Sequence, residues 1–206
     1  IRTFDHNEVI ALAKNSTIPV INGLTDFSHP CQIISDLLTI REKFKTLKGL
    51  KIAYVGDGNN VCNSWLFAAP KMEMNIAVVT PAKYAPDKAV VEKAMELAAQ
   101  SKTEVLITEN TDEGLKGADI IYTDVWASMG QEAEAAVKKE ELKPFQINSP
   151  LVKKAKKDAI VMHCLPAHRG EEITDEIMDG PQSVVFDQAE NRLHAQKGIL
   201  ALLVGK

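Results

Sequence analysis

Two tetrapeptides hold the densest chemistry in this chain, His29-Pro30-Cys31-Gln32 and His163-Cys164-Leu165-Pro166. The second follows the apolar run Ala159-Ile160-Val161-Met162, which puts Cys164 at the carboxyl end of a buried strand, where open α/β sheets place their ligands. A cysteine there is either a small buried hydrophobe or a group beside a cationic substrate, which would favour its thiolate and let it accept a proton or orient an amine. In the first tetrapeptide, proline occupies an opening helical turn, where its missing N–H costs nothing. His29 and Gln32 then lie near the positive helix end, suited to an anionic or strongly polar ligand. A plain helix cap is the competing reading of His29.

Three more segments offer polar groups at strand ends or helix starts. Gly56-Asp57-Gly58-Asn59-Asn60 follows the apolar run Lys51 to Val55 and opens a helix. This is where a dinucleotide-binding glycine loop would sit, but its third glycine would fall at Val61. A β-branched residue there obstructs close helix–strand packing, which argues against a nucleotide-dependent oxidoreductase. The paired asparagines instead offer amides to a carboxylate or amine, or one of them caps the helix. Asp124-Val125-Trp126-Ala127-Ser128-Met129-Gly130 follows Ile120 to Thr123. Asp124 can hold an ammonium, while Ser128 and the amides around Gly130 can meet a carboxylate, so one loop could read both groups of an α-amino acid; a simple capping turn is the alternative. Glu190-Asn191-Arg192 supplies a guanidinium for bidentate contact with a phosphate or carbonyl oxygen.

Positioning these groups requires alternating strands and helices. Strands are predicted at Pro19–Ile21, Lys51–Val55, Ile76–Thr80, Glu104–Thr108, Ile120–Thr123, Ala159–His163 and Ser183–Phe186. Helices are predicted at His29–Phe44, Asn60–Met72, Asp87–Ser101, Thr111–Lys116, Gln131–Leu142 and Ala189–Val204. The pattern predicts an α/β fold with a doubly wound, mainly parallel sheet flanked by helices. Lys153, Lys154, Lys156 and Lys157 read as the wet face of a helix begun at Ser149-Pro150.

With 206 residues, 45% hydrophobic and 25% charged, the chain can bury a full core. A net charge of -4 gives no broad basic footprint for nucleic acid or anionic membrane. Three widely spaced cysteines without a CxxC indicate neither a disulfide framework nor a zinc site and fit a reducing, cytoplasmic setting. No apolar run approaches the roughly 20 residues of a membrane span.

Taken in order, HPCQ (29–32), GDGNN (56–60), DxxxSMG (124–130), HCLP (163–166) and ENR (190–192) resemble the ornithine carbamoyltransferases in sequence and spacing, over nearly all 206 residues. SMG together with HCLP favours the ornithine over the aspartate branch. The resemblance implies transfer of the carbamoyl group from carbamoyl phosphate to the δ-amine of L-ornithine, giving L-citrulline and phosphate, with no metal or organic cofactor. It implies that Arg2, His29, Gln32, Cys164 and Arg192 contact carbamoyl phosphate. Asn60, Asp124, Ser128, Met129, Cys164 and Leu165 would hold ornithine, and Cys164, Asp124, His29 and Arg192 would carry the catalysis. It also implies homotrimers, or multiples of them, with sites completed by a neighbouring subunit. The STRTR phosphate loop of the family does not occur in this sequence. The expected organisation is therefore an edge of the carbamoyl-phosphate domain (1–28), an interdomain helix with the ornithine-binding domain (29–187) and a closing helix (188–206). The chain alone is expected to turn over little. Two alternatives stand beside this reading, a non-catalytic amino-acid-binding fragment and a carbamoyltransferase for putrescine or another amine.

Overall fold

A computed structural model describes residues 1–127 and 135–204. In chain order the elements are α1 (His6–Asn15), α2 (Pro30–Phe44), β1 (Lys51–Val55), α3 (Asn60–Lys71), β2 (Asn75–Val79), α4 (Lys88–Ser101), β3 (Val105–Thr108), α5 (Thr111–Leu115), β4 (Ile120–Thr123), α6 (Ala135–Leu142), α7 (Ser149–Val152), β5 (Ile160–His163), α8 (Asp175–Met178) and α9 (Val185–Val204). Among the described residues five strands form one sheet in the order β3-β2-β1-β4-β5, every pairing parallel. This is the doubly wound sheet expected from the sequence.

Near-continuous apolar runs make these strands because both sheet faces are covered. Side chains alternate between the faces. Ile52, Tyr54, Ile120, Tyr122 and Met162 pack beneath α2, α3 and α4, around Ile40, Trp65, Leu66 and Ala94. Ala53, Val55, Ile121 and Val161 pack on the opposite side with Leu142, Phe145, Leu151, Val152 and Met178. The chain winds outward from β1 to β3, then returns to place β4 on the other side of β1. The crevice between β1 and β4 is the switch point at which such sheets bind ligands.

Three local expectations are corrected. Pro19–Ile21 forms no strand; the pairing of this region is a single bridge between Arg2 and Leu24. Ser183–Phe186 contributes one bridge, Ser183 to Val161, and Val185 already belongs to α9. The strand is cut short because the chain must turn at once into a helix that buries Val185, Gln188, Asn191 and Ala195. The helix from Ser149 ends at Val152, so the lysines follow it in turns: Lys154 meets Asp112 at 2.9 Å and Lys156 meets Asp119 at 2.6 Å.

Candidate active site at the switch point

The loop after β1 is shaped by its glycines. Gly56 has φ +129°, and a Cβ at Gly58 would lie 2.5 Å from both the Tyr84 oxygen and the Pro86 nitrogen. Gly58 N–H donates to the Tyr84 carbonyl at 2.9 Å. The second glycine is thus consumed by packing against the protein's own backbone. Between them, Asp57 is buried and sits 2.7 Å from Lys138 Nζ, which ties the loop to α6. Burial pushes the Asp57 carboxyl up, and Lys138 opposes that shift.

The adjacent asparagines divide their work. Asn59 is the N-cap of α3: its Oδ1 accepts from Val61 N–H at 3.0 Å, Cys62 N–H at 3.2 Å and the Tyr54 hydroxyl at 3.0 Å. Those three donors fix the amide orientation, so Nδ2 must point the other way, and it donates to Asp124 Oδ2 at 2.7 Å. Asn60 donates to the Thr25 carbonyl at 2.6 Å, Asn63 donates to the Phe27 carbonyl at 3.0 Å, and Ser64 accepts from His29 N–H at 2.7 Å. The first turns of α3 therefore hold the segment leading into α2.

Asp124 follows β4 and Cys164 follows β5, and the sheet register brings them together. Cys164 Sγ donates to Asp124 Oδ1 at 2.8 Å, and the same oxygen accepts from Val125 N–H at 2.8 Å. Burial first, then the negative charge of Asp124, pushes the Cys164 thiol well above its ordinary range. The group is thus a thiol that donates to a carboxylate, and the thiolate considered from the sequence belongs to a site with a cationic substrate beside it. Asp124, His163 and Cys164 also bring potential metal ligands within 4.8 Å of one another. Both ring nitrogens of His163 are already engaged, by Leu165 N–H at 2.8 Å and by Glu172 at 3.1 Å, so the imidazole has no free lone pair to offer.

His29 occupies the N-cap position of α2 but makes no capping side-chain bond. Its Nδ1 is buried without a hydrogen-bond partner. Burial first, then the nearby Arg192 cation, pushes its pKa down to about 4; Asp124 acts in the opposite sense, and Arg2 in the same sense as Arg192. The imidazole is therefore neutral at physiological pH, and Arg192, Asp124 and Arg2 all lie close enough to act on it. Gln32, on the next turn, accepts from Arg192 Nη1 and donates to Asp36 Oδ1 at 2.8 Å. Arg2 is exposed on the bridge to Leu24. Leu165 has φ +58° directly after Cys164. Ser128 and Met129 lie outside the described residues.

A pH signature follows from His29. Because its folded pKa lies below the ordinary 6.5, the unfolded chain binds more protons between about 4 and 6.5. The stabilisation is complete above that window and is lost as pH falls through it, on the order of 3 kcal/mol. Urea unfolding of His29→Gln between pH 4 and 7 is expected to show less acid loss than wild type; equal loss would refute the assignment.

Three features bind this site that the sequence did not single out: the Asn59 contact to Asp124, the buried Asp36 and the Glu172 partner of His163. The four-residue step from Gln32 to Asp36 on one helix face was a usable signal for the second. Glu172 had none.

Comparison with known proteins decides the family. A model described as the aspartate/ornithine carbamoyltransferase Asp/Orn-binding domain matches residues 48–203, and the corresponding carbamoyl-P-binding domain matches 1–42. The chain belongs to the aspartate/ornithine carbamoyltransferase family. Among carbamoyltransferases, it is 55% identical over 204 residues to "Ornithine carbamoyltransferase" of Pyrococcus horikoshii, covering 99% of this chain and 64% of that protein. It is 56% identical over 205 residues to the Carboxydothermus hydrogenoformans protein of that name, covering 66% of it. The solved ornithine carbamoyltransferase of Pyrococcus furiosus superposes with a TM-score of 0.95 at 55% identity, over 99% of this chain and 65% of that one. The chain thus spans a little under two thirds of the length of these carbamoyltransferases.

Proposed function

We propose that this chain forms the ornithine side, and part of the carbamoyl-phosphate side, of an enzyme that carbamoylates the δ-amine of L-ornithine to give L-citrulline and phosphate. The observation that carries the reading is the convergence on Asp124. A carboxylate at the switch point receives Cys164 Sγ at 2.8 Å and Asn59 Nδ2 at 2.7 Å, and its charge, like that of Arg192, acts on the His29 imidazole. A carboxylate and a guanidinium acting on one imidazole suit an amine nucleophile and a phosphate-bearing electrophile.

In this reading the neutral δ-amine attacks the carbonyl carbon of carbamoyl phosphate. A C–N bond forms, the C–O bond to phosphate breaks, and negative charge gathers briefly on the carbonyl oxygen. In this reading His29 and Arg192 donate to that oxygen, and Gln32 and Arg2 contact the phosphate-bearing substrate. Asp124 accepts the proton that the attacking nitrogen loses as the C–N bond forms, and Cys164 and the Leu165 backbone line the path of the amine. Asn60, Ser128 and Met129 complete the grip on the α-amino and carboxylate groups. No step calls for a metal or organic cofactor.

The names of the relatives support ornithine as the acceptor, and the Pyrococcus furiosus relative is named anabolic, which supports a role in arginine biosynthesis. A trimer is the assembly proposed, and the cytoplasm the location, consistent with three free cysteines; no described helix is long and apolar enough to cross a membrane. The test is carbamoyl transfer by the purified protein carrying this chain, from carbamoyl phosphate to L-ornithine, L-aspartate or putrescine, read as citrulline, N-carbamoyl-L-aspartate and N-carbamoylputrescine respectively. Ornithine is expected to be strongly preferred. Preference for either competitor, or no product with any, would overturn the reading.

A further inference from the structure

We propose that Glu172 is a positioning residue that fixes the tautomer of His163 and, through that ring, the backbone of Leu165 at the edge of the amine path. Its bearing on turnover rests on the function proposed above; the tautomer does not.

The proton count on His163 is set by its neighbours. Leu165 N–H donates to Nδ1 at 2.8 Å, so Nδ1 must carry a lone pair. A neutral imidazole then bears its proton on Nε2, and Nε2 faces Glu172 Oε1 at 3.1 Å. The opposite tautomer would set an Nδ1 proton against the Leu165 N–H and leave Nε2 a bare acceptor against a carboxylate. Both contacts would then repel.

Leu165 needs such a hold. Its φ of +58° lies in the left-handed region that residues with a Cβ rarely adopt. This conformation directs the peptide groups flanking Leu165, immediately after the Cys164 that meets Asp124. If His163 releases the N–H, the residue is free to relax toward the common regions, and the Cys164–Leu165 peptide turns with it.

Glu172 is itself held firmly. It is fully buried, its Oε1 also accepts His168 N–H at 2.5 Å, and its own carbonyl accepts from Ile147 N–H at 2.8 Å. Its Oε2 is buried with no hydrogen-bond partner. A carboxylate kept in the interior with one oxygen unsatisfied is poorly explained by stability, since a hydrophobic residue of similar volume would avoid that desolvation. The acceptor on Oε1, shared between His168 N–H and His163 Nε2–H, explains why an oxygen is needed there.

The test uses two substitutions and a spectroscopic readout in the protein carrying this chain. Glu172→Gln keeps a carbonyl for both donors, because His168 N–H selects that amide orientation; Glu172→Met keeps the volume and removes the acceptor. With ¹⁵N-histidine labelling, wild type and E172Q are expected to show His163 as the Nε2–H tautomer. E172M is expected to shift toward Nδ1–H, with kcat for citrulline formation reduced about 10²-fold by misplacement of the loop and KM for carbamoyl phosphate within about 2-fold of wild type. E172Q is expected to restore most of kcat. An Nδ1–H or doubly protonated His163 in the wild type at neutral pH overturns the proposal, and this measurement decides it even if E172M does not fold. Folded E172M with an unchanged tautomer also overturns it, as does equal kcat loss in E172Q and E172M. If the protein makes no citrulline, the functional reading fails while the tautomer result still decides the Glu172–His163 assignment.

Discussion

Asp36→Ala is expected to cost at least about 4 kcal/mol and leave little folded protein at 37 °C, whereas Asp36→Asn folds. Asp36 lies wholly inside the protein, where its carboxylate collects Gln32 Nε2 and Gln188 Nε2 on Oδ1 and the Tyr122 hydroxyl on Oδ2, each at 2.8 Å. Alanine strands three buried donors at once, each costing about 1–3 kcal/mol. Asparagine keeps an oxygen for the two glutamines, and the Tyr122 hydroxyl can rotate to accept from its amide. The pH dependence separates these cases. Burial, opposed by the three hydrogen bonds and by Arg192, pushes the Asp36 carboxyl up to about 6. Between about 4 and 6 the folded protein therefore binds more protons, so this group's contribution is present at low pH and is lost as pH rises, on the order of 3 kcal/mol. Its slope opposes that of His29 over the same range. Urea midpoints of Asp36→Asn should consequently fall more steeply on acidification than those of wild type; a parallel curve would show that Asp36 does not titrate as stated.

If the chain serves the proposed carbamoylation of ornithine, Asp124→Asn is expected to lower kcat/KM for ornithine on the order of 10²- to 10³-fold, the size of breaking a buried charge pair, with KM for carbamoyl phosphate changed less than about 3-fold. The substitution cannot be absorbed by an amide flip. An amide nitrogen at the Oδ2 position would confront Asn59 Nδ2, which is locked by its three donors to Oδ1. At the Oδ1 position it would confront Val125 N–H and the Cys164 thiol. Either way two donors meet, and the negative charge is gone. Steady-state kinetics with each substrate varied in turn gives the answer, and equal loss for both substrates would remove Asp124 from the ornithine side.

The sequence carried the sheet because the apolar runs of β1, β2, β4 and β5 are short, separated by amphipathic helices and buried on both faces. It failed at Pro19–Ile21 and Ser183–Phe186, where the same residue types form no ladder. A run of β-branched residues specifies a strand only if a partner is free beside it, and Val161 pairs with Ser183 alone before α9 begins. Within the site, Asp124 and Cys164 were legible as strand-end residues. The division of labour between Asn59 and Asn60 was not, since both have the same chemistry and differ only in which side of the helix start they leave.

HPCQ and HCLP, by composition and spacing alone, place a histidine before a helix and a cysteine after a strand, because helix entry and strand exit are local properties of the chain. The protonation of both was decided by tertiary structure. Burial beside Arg192 keeps His29 neutral, and burial beside Asp124 keeps Cys164 a thiol. Those neighbours come from α9 and the loop after β4, far away in the chain, and a proton's free energy depends on the charges and solvent that folding brings close.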